Sequence, residues 1–281
     1  MRLLVGHDGR DGGRDALELA RVLAASEPEP SALVVTVLFG ETVPIEFARL
    51  PEQDAGKAEA RLAEAREALA GIEVETRGYA GGSAAEILTT LAEEEAFDAI
   101  VVGSPHRGAI GRIVLGSVAQ SLLNGAPTDV AVAPAGYALE EHERLARIAV
   151  GYDGTPESKL ALRRAEALAR RPNAALDLVT VVTPPVAAPV MVPGAYAPES
   201  PPHAEQLIGE GVHSVDPALA ATPVRRDGDP AVQLLKACQE DTDLLVVGSR
   251  GYGPLARVLL GSVSREVVRK ATCPVLTVRR R

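Results

Sequence analysis

Two halves of this 281-residue chain carry the same residues at one fixed spacing. Asp8 recurs as Asp153, Asp98 as Asp243, Gly103 as Gly248, Gly116 as Gly261 and Ser117 as Ser262, every pair 145 positions apart. A constant offset over five positions marks an internal duplication, and a duplication constrains the fold strongly, because each half must build a similar unit. The length leaves room for two ordinary domains. Gly136 to Arg144 separates the copies and reads as polar and helix-compatible. The boundary is expected there, with a first domain over 1–140 and a second over 145–281.

Within the first copy, short apolar runs alternate with helical patterns. Residues 3–5, 33–38, 72–75, 99–102 and 130–132 read as strands, and 16–23, 55–70, 84–95 and 118–124 as helices, with Pro28 and Pro30 stopping the first. In the 55–70 run Glu59, Arg61, Glu64 and Arg66 are expected mostly to face water. The second copy opens on a strand at 148–150, and Thr155 caps a helix whose first residue is Pro156. Residues 176–182 form its second strand, with Val181 placed like Val37 after a one-residue shift. Such alternation predicts an α/β fold of two Rossmann-like units, each a five-stranded, mostly parallel sheet with helices on both faces and right-handed crossovers. Residues 183–202 hold seven prolines and read as an extended or mobile loop, either a disordered insertion or a cover over a pocket.

Aromatic residues make up 3% of the chain, with no Trp, against 46% hydrophobic residues, so the cores must be aliphatic. A net charge of -9 argues against nucleic acid held on a broadly basic surface. Cys238 and Cys273 lack any metal-ligand or CxxC spacing, which disfavours a disulfide framework or zinc site and points to a reducing interior. The first residues do not read as a signal peptide, and no apolar stretch approaches the roughly 20 residues of a membrane span. A cytoplasmic protein without membrane contact is expected.

The richest stretch is Val246-Val247-Gly248-Ser249-Arg250-Gly251, followed by nine residues and then Gly261-Ser262-Val263-Ser264. A buried strand empties into a loop holding Gly248, Gly251 and Gly253, where glycine lets the chain turn and a ligand approach the main chain. A second helical pattern opens at Gly261-Ser262, and its unpaired N–H groups and partial positive charge suit a phosphate. A tight strand-to-helix turn without ligand is the competing reading. A P-loop is excluded, because no Lys adjoins Gly116-Ser117 or Gly261-Ser262. Residues 251–256 match GxGxxA only by accident, since they follow the fourth strand of the unit and lack the later acid.

Gly248-x2-Gly251-x9-Gly261-Ser262, Asp153-Gly154 after the first strand, Asp243 before the fourth and Cys273-Pro274-Val275 in the fifth resemble the universal stress protein family. The resemblance covers both halves, as in a tandem two-domain member. It implies ATP in a cleft at the strands' carboxyl ends. Carried over, Asp153 lies near adenine and ribose, the main chain of Val181 faces adenine, Gly248 and Gly251 pass under ribose and phosphates, and Gly261, Ser262, Val263 and Ser264 hold phosphate oxygens. Ser249, Arg250 and Gly253 complete this candidate set. In the first half the loop is degenerate: His106 stands where the second half has Gly251, and a side chain there takes space a nucleotide needs. Asp8, Val37, Gly103, His106, Arg107, Gly116 and Ser117 form a weaker candidate site, in which His106 or Arg107 contacts phosphate instead.

Other residues look bland. Asp98 and Asp243 read as turn or cap residues, His7, His142, His203 and His213 as surface residues, and Arg279-Arg280-Arg281 as a solvated end. No catalytic constellation and no protein metal site emerges from spacing. Three functions follow: an ATP-binding stress-response or regulatory protein, a slow ATP hydrolase with Mg2+ shared between phosphates and Ser262 or Asp153, and a nucleotide-free interaction scaffold. The two copies are expected to pack as an intramolecular pseudo-dimer through the fifth-strand edges, 130–132 against 275–277, with further homodimerisation open.

Overall fold

Strand residues alternate between two apolar layers, and that alternation sets the architecture. In β1 (Arg2–Gly6), Leu3 and Val5 enter one layer and Leu4 the other, as in parallel strands covered by helices on both faces. The structure, a computed structural model, describes residues 1–38, 52–105, 111–170, 173–183, 203–249 and 261–280. The first copy continues as α1 (Asp11–Ala24), β2 (Ser31–Leu38), α2 (Glu52–Ala68), β3 (Glu73–Ala80), α3 (Ala84–Glu94), β4 (Ala99–Gly103), α4 (Ser117–Gly125) and β5 (Asp129–Ala133). The second follows as β6 (Arg147–Gly151), α5 (Pro156–Arg170), β7 (Ala175–Val182), α6 (His203–His213), β8 (Ala221–Asp227), α7 (Pro230–Ala237), β9 (Leu244–Gly248), α8 (Ser262–Lys270) and β10 (Val275–Val278). The proline-rich reading of 183–202 lies outside the described residues from 184 onward.

Among the described residues, ten strands join one sheet in the order β3-β2-β1-β4-β5-β10-β9-β6-β7-β8. Every pairing is parallel except the central one, where Val275, Leu276 and Thr277 of β10 run antiparallel to Val132, Ala131 and Val130 of β5. Both layers pass through both copies. One unites α1, α2 and α5 on one face, and the other unites α3, α4, α7 and α8 on the opposite face. Because the central pair is antiparallel while each copy is parallel within itself, the carboxyl ends of the two sets of strands lie on opposite edges of the sheet. The two glycine loops therefore belong to separate sites.

Charged groups tie the copies together. Asp129, almost fully buried, accepts from Arg164 Nε at 2.8 Å and from the Arg279 main-chain N–H at 2.9 Å. The Arg279 guanidinium also donates to the Ala126 carbonyl, and burial pulls its pKa below the usual arginine value. Arg279 is thus a link between copies, not the solvated end expected from its position. Asp98 and Asp243 fill matching roles: the Asp98 carboxylate accepts the Arg2 N–H at 2.9 Å, and that of Asp243 accepts those of Ala146 and Arg147 at 2.7 Å each.

The connector differs from its polar sequence reading. A single 3-10 turn, Tyr137–Leu139, docks on α1 because the buried Asp15 carboxylate accepts the N–H groups of Gly136 (3.0 Å) and Ala138 (2.9 Å). Gly136 is left-handed at φ 84, which the turn requires. His142 stacks on Tyr137 with ring centroids 3.9 Å apart, and its Nε2 donates to the Tyr137 carbonyl at 3.0 Å. His142 is therefore partnered and Tyr137 buried.

Candidate functional site

In each copy the central strand ends in an aspartate turn. Asp153 Oδ1 accepts from the Thr155 N–H at 3.1 Å and its hydroxyl at 2.6 Å, and the left-handed Gly154 closes the bend. Thr155 Oγ1 in turn accepts the Ser158 N–H at 3.2 Å, the N-cap expected from the sequence. Asp8 repeats the turn, accepting the Arg10 N–H at 3.0 Å before the left-handed Gly9. Both aspartates are exposed. Asp153 follows β6 and Gly248 ends β9, and these neighbouring strands flank the point where the strand order reverses, the position open α/β sheets use for ligands.

Val181 bears on the same crevice through its main chain. The Tyr152 N–H donates to the Val179 carbonyl at 2.9 Å, so Val179 turns its peptide groups toward β6. Two residues on, Val181 turns its own groups the same way, past the end of β6 at Gly151. Val37 holds the same place in the first copy, since His7 donates to Val35 at 2.9 Å.

Helix α8 closes the other side. Its N-cap is Gly261, in extended conformation and with no side chain to bond the first-turn N–H groups. Ser264 Oγ donates to the Gly248 carbonyl at 2.8 Å, which pins the mouth of the helix to the end of β9. Ser262 is exposed, Val263 is half-buried and Ser264 is buried. Gly248, Gly261, Ser262, Val263 and Ser264 therefore converge. Arg250, Gly251 and Gly253 lie outside the described residues, as do His106 and Arg107 of the first copy.

Two glycine-loop residues have structural uses that spacing does not reveal. A Cβ on Gly248 would come within 2.8 Å of the Glu157 carbonyl carbon and oxygen, so the first turn of α5 packs directly on this strand end. In the first copy a Cβ on Gly103 would overlap the carbonyl oxygen of Gly12. Ser249 is buried, and both its N–H and its hydroxyl donate to the Val278 carbonyl, at 2.9 and 3.0 Å. Glu157, beside Gly248, pairs with Arg280 at 3.2 Å. Neither residue carries a sequence signal; Arg280 belonged to what looked like a free tail.

In the first copy the chain on either side of the loop is tied together. Ser104 Oγ donates to the Val114 carbonyl at 2.7 Å and accepts the Val114 N–H at 2.6 Å, which folds the chain before α4 back over the end of β4. The Pro105 ring lies 3.3 Å from where a Gly116 Cβ would stand, against the N-cap of α4. Ser117, like Ser262, is exposed. His7, expected at the surface, is buried under α2, 3.4 Å from Glu64. Arg61 lies against Gly9, and both Arg61 and Glu64 are half-buried, while Glu59 and Arg66 face water as expected.

Among the described residues no helix is long and apolar enough to cross a membrane, and no group of three or more His, Cys, Asp or Glu gathers to hold a metal ion. The sequence profile of the Universal stress protein family matches residues 1–134 and 145–279. Universal stress protein Rv2319c of Mycobacterium tuberculosis is 31% identical over 296 aligned residues, covering 99% of both chains. A second relative from that organism, Universal stress protein Rv2005c, is 34% identical over 183 residues, or 64% of this chain and 61% of its own. Among solved structures, a universal stress protein from Archaeoglobus fulgidus superposes over 100% of this chain and 98% of its own, with a TM-score of 0.72 at 20% identity.

Proposed function

The chain belongs to the universal stress protein family, and from that premise we propose that it is an ATP-binding stress-response or regulatory protein whose second domain, 145–281, holds most of the nucleotide. The observation that carries this reading is the glycine-capped mouth of α8 pinned to the end of β9 by Ser264. Open N–H groups and the helix dipole at that mouth favour a phosphate chain. Asp153 and the main chain of Val181 line the path toward ribose and adenine, Gly261, Ser262, Val263 and Ser264 meet the phosphates, and the stretch from Arg250 through Gly251 to Gly253 completes the loop. Ser249 contributes through its place in the chain, since its hydroxyl serves Val278. Mg2+, when bound with the nucleotide, would supply charge neutralisation for the phosphates, and the exposed Ser262 hydroxyl and the Asp153 carboxylate are the protein groups that would hold it.

The first domain, 1–140, binds more weakly, because Pro105 lies against the N-cap of α4. Asp8, Val37, Gly103, Gly116 and Ser117 keep the remaining outline of a site, with His106 and Arg107 in its loop. The β5–β10 pairing supports an intramolecular pseudo-dimer. A cytoplasmic setting fits the free thiols of Cys238 and Cys273.

Thermal unfolding with ATP tests the proposal. Saturation at 100 times Kd adds about 2.7 kcal/mol to the folded state. In Gly261→Asp a carboxylate caps α8 and repels phosphate, so this variant keeps its stability without nucleotide but loses the ATP-dependent rise in Tm. Gly116→Asp leaves that rise intact. No rise with any adenine nucleotide at millimolar concentration favours the scaffold reading. Steady phosphate release that Gly261→Asp abolishes favours slow hydrolysis.

A further inference from the structure

The two cysteines, 35 positions apart, meet in the fold. Cys238 caps the C-terminus of α7, and Cys273 lies in the turn between α8 and β10. Both are free and buried in the same apolar layer. Thr272 Oγ1 donates to the Cys238 carbonyl at 3.3 Å, which draws the two segments together, and the two thiols lie close enough for each to shift the titration of the other. The duplication shows that this pairing is no requirement of the fold. At the position matching Cys273 the first copy has Thr128, whose hydroxyl donates to the carbonyls of Phe97 and Asp98 at 2.8 Å each. Helix α3 superimposes its N-cap Ser83 and buried Ala85, Leu88 and Leu91 on Asp229, Ala231, Leu234 and Ala237 of α7, so the position matching Cys238 is the half-buried Ala92.

We propose that Cys238 and Cys273 form a reversible oxidation site, in which a peroxide converts the facing thiols to an intramolecular disulfide between α7 and the turn that enters β10. The environments divide the roles. Hydrogen bonds from the Cys273 thiol and from the main-chain amides of Cys273 and Thr272 hold the Cys238 pKa below the ordinary thiol value, while burial pushes that of Cys273 well up. Cys238, the more readily deprotonated of the two, is thus the attacking sulfur and Cys273 the resolving one. The Cys238 sulfur attacks one peroxide oxygen; an S–O bond forms, the O–O bond breaks, and the departing hydroxide or alkoxide takes a proton. Cys273 then loses its proton and attacks the Cys238 sulfenic acid, so that the S–S bond forms as the S–O bond breaks and water leaves. Two thiols are oxidised and one peroxide is reduced.

The test treats the reduced full chain with equimolar hydrogen peroxide, alkylates it under denaturing conditions and measures its intact mass. The expected product is monomeric, lacks two hydrogens, takes up no alkylating agent, yields a cross-linked pair of peptides around residues 238 and 273, and returns to the starting mass with dithiothreitol. In Cys273→Ser the reaction stops at a sulfenic acid on Cys238 that dimedone traps, while in Cys238→Ser the remaining thiol reacts at least tenfold more slowly. Two alkylated cysteines in the wild type after treatment, or disulfides only between chains, would overturn the proposal. Equal rates of thiol loss in the two variants would overturn the assignment of roles. The wild-type measurement stands whether or not either variant folds.

Discussion

Replacing Gly248 with alanine separates the two reasons a glycine can stand at the end of β9. If the residue is there for α5, the new methyl meets the Glu157 carbonyl carbon and oxygen at 2.8 Å. An ordinary carbon contact begins near 3.5 Å, so the first turn of α5 must retreat by about 0.7 Å. That turn carries the Asp153–Thr155 bend, and the helix behind it packs Ala161, Leu162 and Ala165 into the core. Overpacking of this kind costs on the order of 2 kcal/mol, a fall in Tm of roughly 4–8 °C. Gly103→Ala should cost more, because its methyl overlaps the Gly12 carbonyl oxygen and stands 2.6 Å from the carbon. Calorimetry without nucleotide measures both variants. Wild-type Tm values in the absence of nucleotide, combined with a loss of the ATP-dependent rise in Gly248→Ala, would refute the packing argument and return Gly248 to a role set by ligand alone.

Asp129→Ala strips a buried carboxylate from Arg164 and from the Arg279 N–H. A loss of about 3 kcal/mol in urea unfolding is expected, and a loss under 0.5 kcal/mol would show that the link between copies carries no weight. Asp15→Ala leaves the Gly136 and Ala138 N–H groups without their acceptor. It should cost about 1–3 kcal/mol and open the connector to limited proteolysis; an unchanged digestion pattern would contradict this. Glu95 is held below the usual carboxylate range by hydrogen bonds from Arg77 first and Arg2 second. A depressed native pKa stabilises fully above the unfolded value near 4.3 and is lost as pH falls through the lower native value. The stability gap between wild type and Glu95→Gln should therefore be widest near neutral pH and narrow as pH falls below the unfolded value, as read from urea midpoints; a gap of constant size would count against the ion pair.

The duplication, the parallel α/β units and the strand-to-helix turns were legible in the sequence because they depend on local periodicity and one constant offset. The matching of Val181 to Val37 by a one-residue shift was also legible, since strand register carries over between copies of one fold. Burial is a different matter. His7, Tyr137 and Arg279 sit among polar or terminal residues, yet His7 lies under α2, Tyr137 packs from the connector into the layer of α1, and Arg279 reaches the other copy. The partners of His7 and Arg279, Glu64 and Ala126, come from remote elements, and Tyr137 is held by a stack on His142 within an irregular connector; neither kind of pairing leaves a periodic trace.

What the chain settles by itself is that two similar units form, each with a glycine-capped helix facing a strand end, because hydrophobic period and turn chemistry act within a few residues. Tertiary structure alone decides that the seam expected between the fifth strands is antiparallel and makes one continuous sheet, and so that the glycine loops sit on opposite edges. It also decides that Gly248 and Gly103 are required by helices packed on them, and that Cys238 meets Cys273. Each of these depends on a distance between residues remote along the chain, fixed only when side chains from several elements fill the same space.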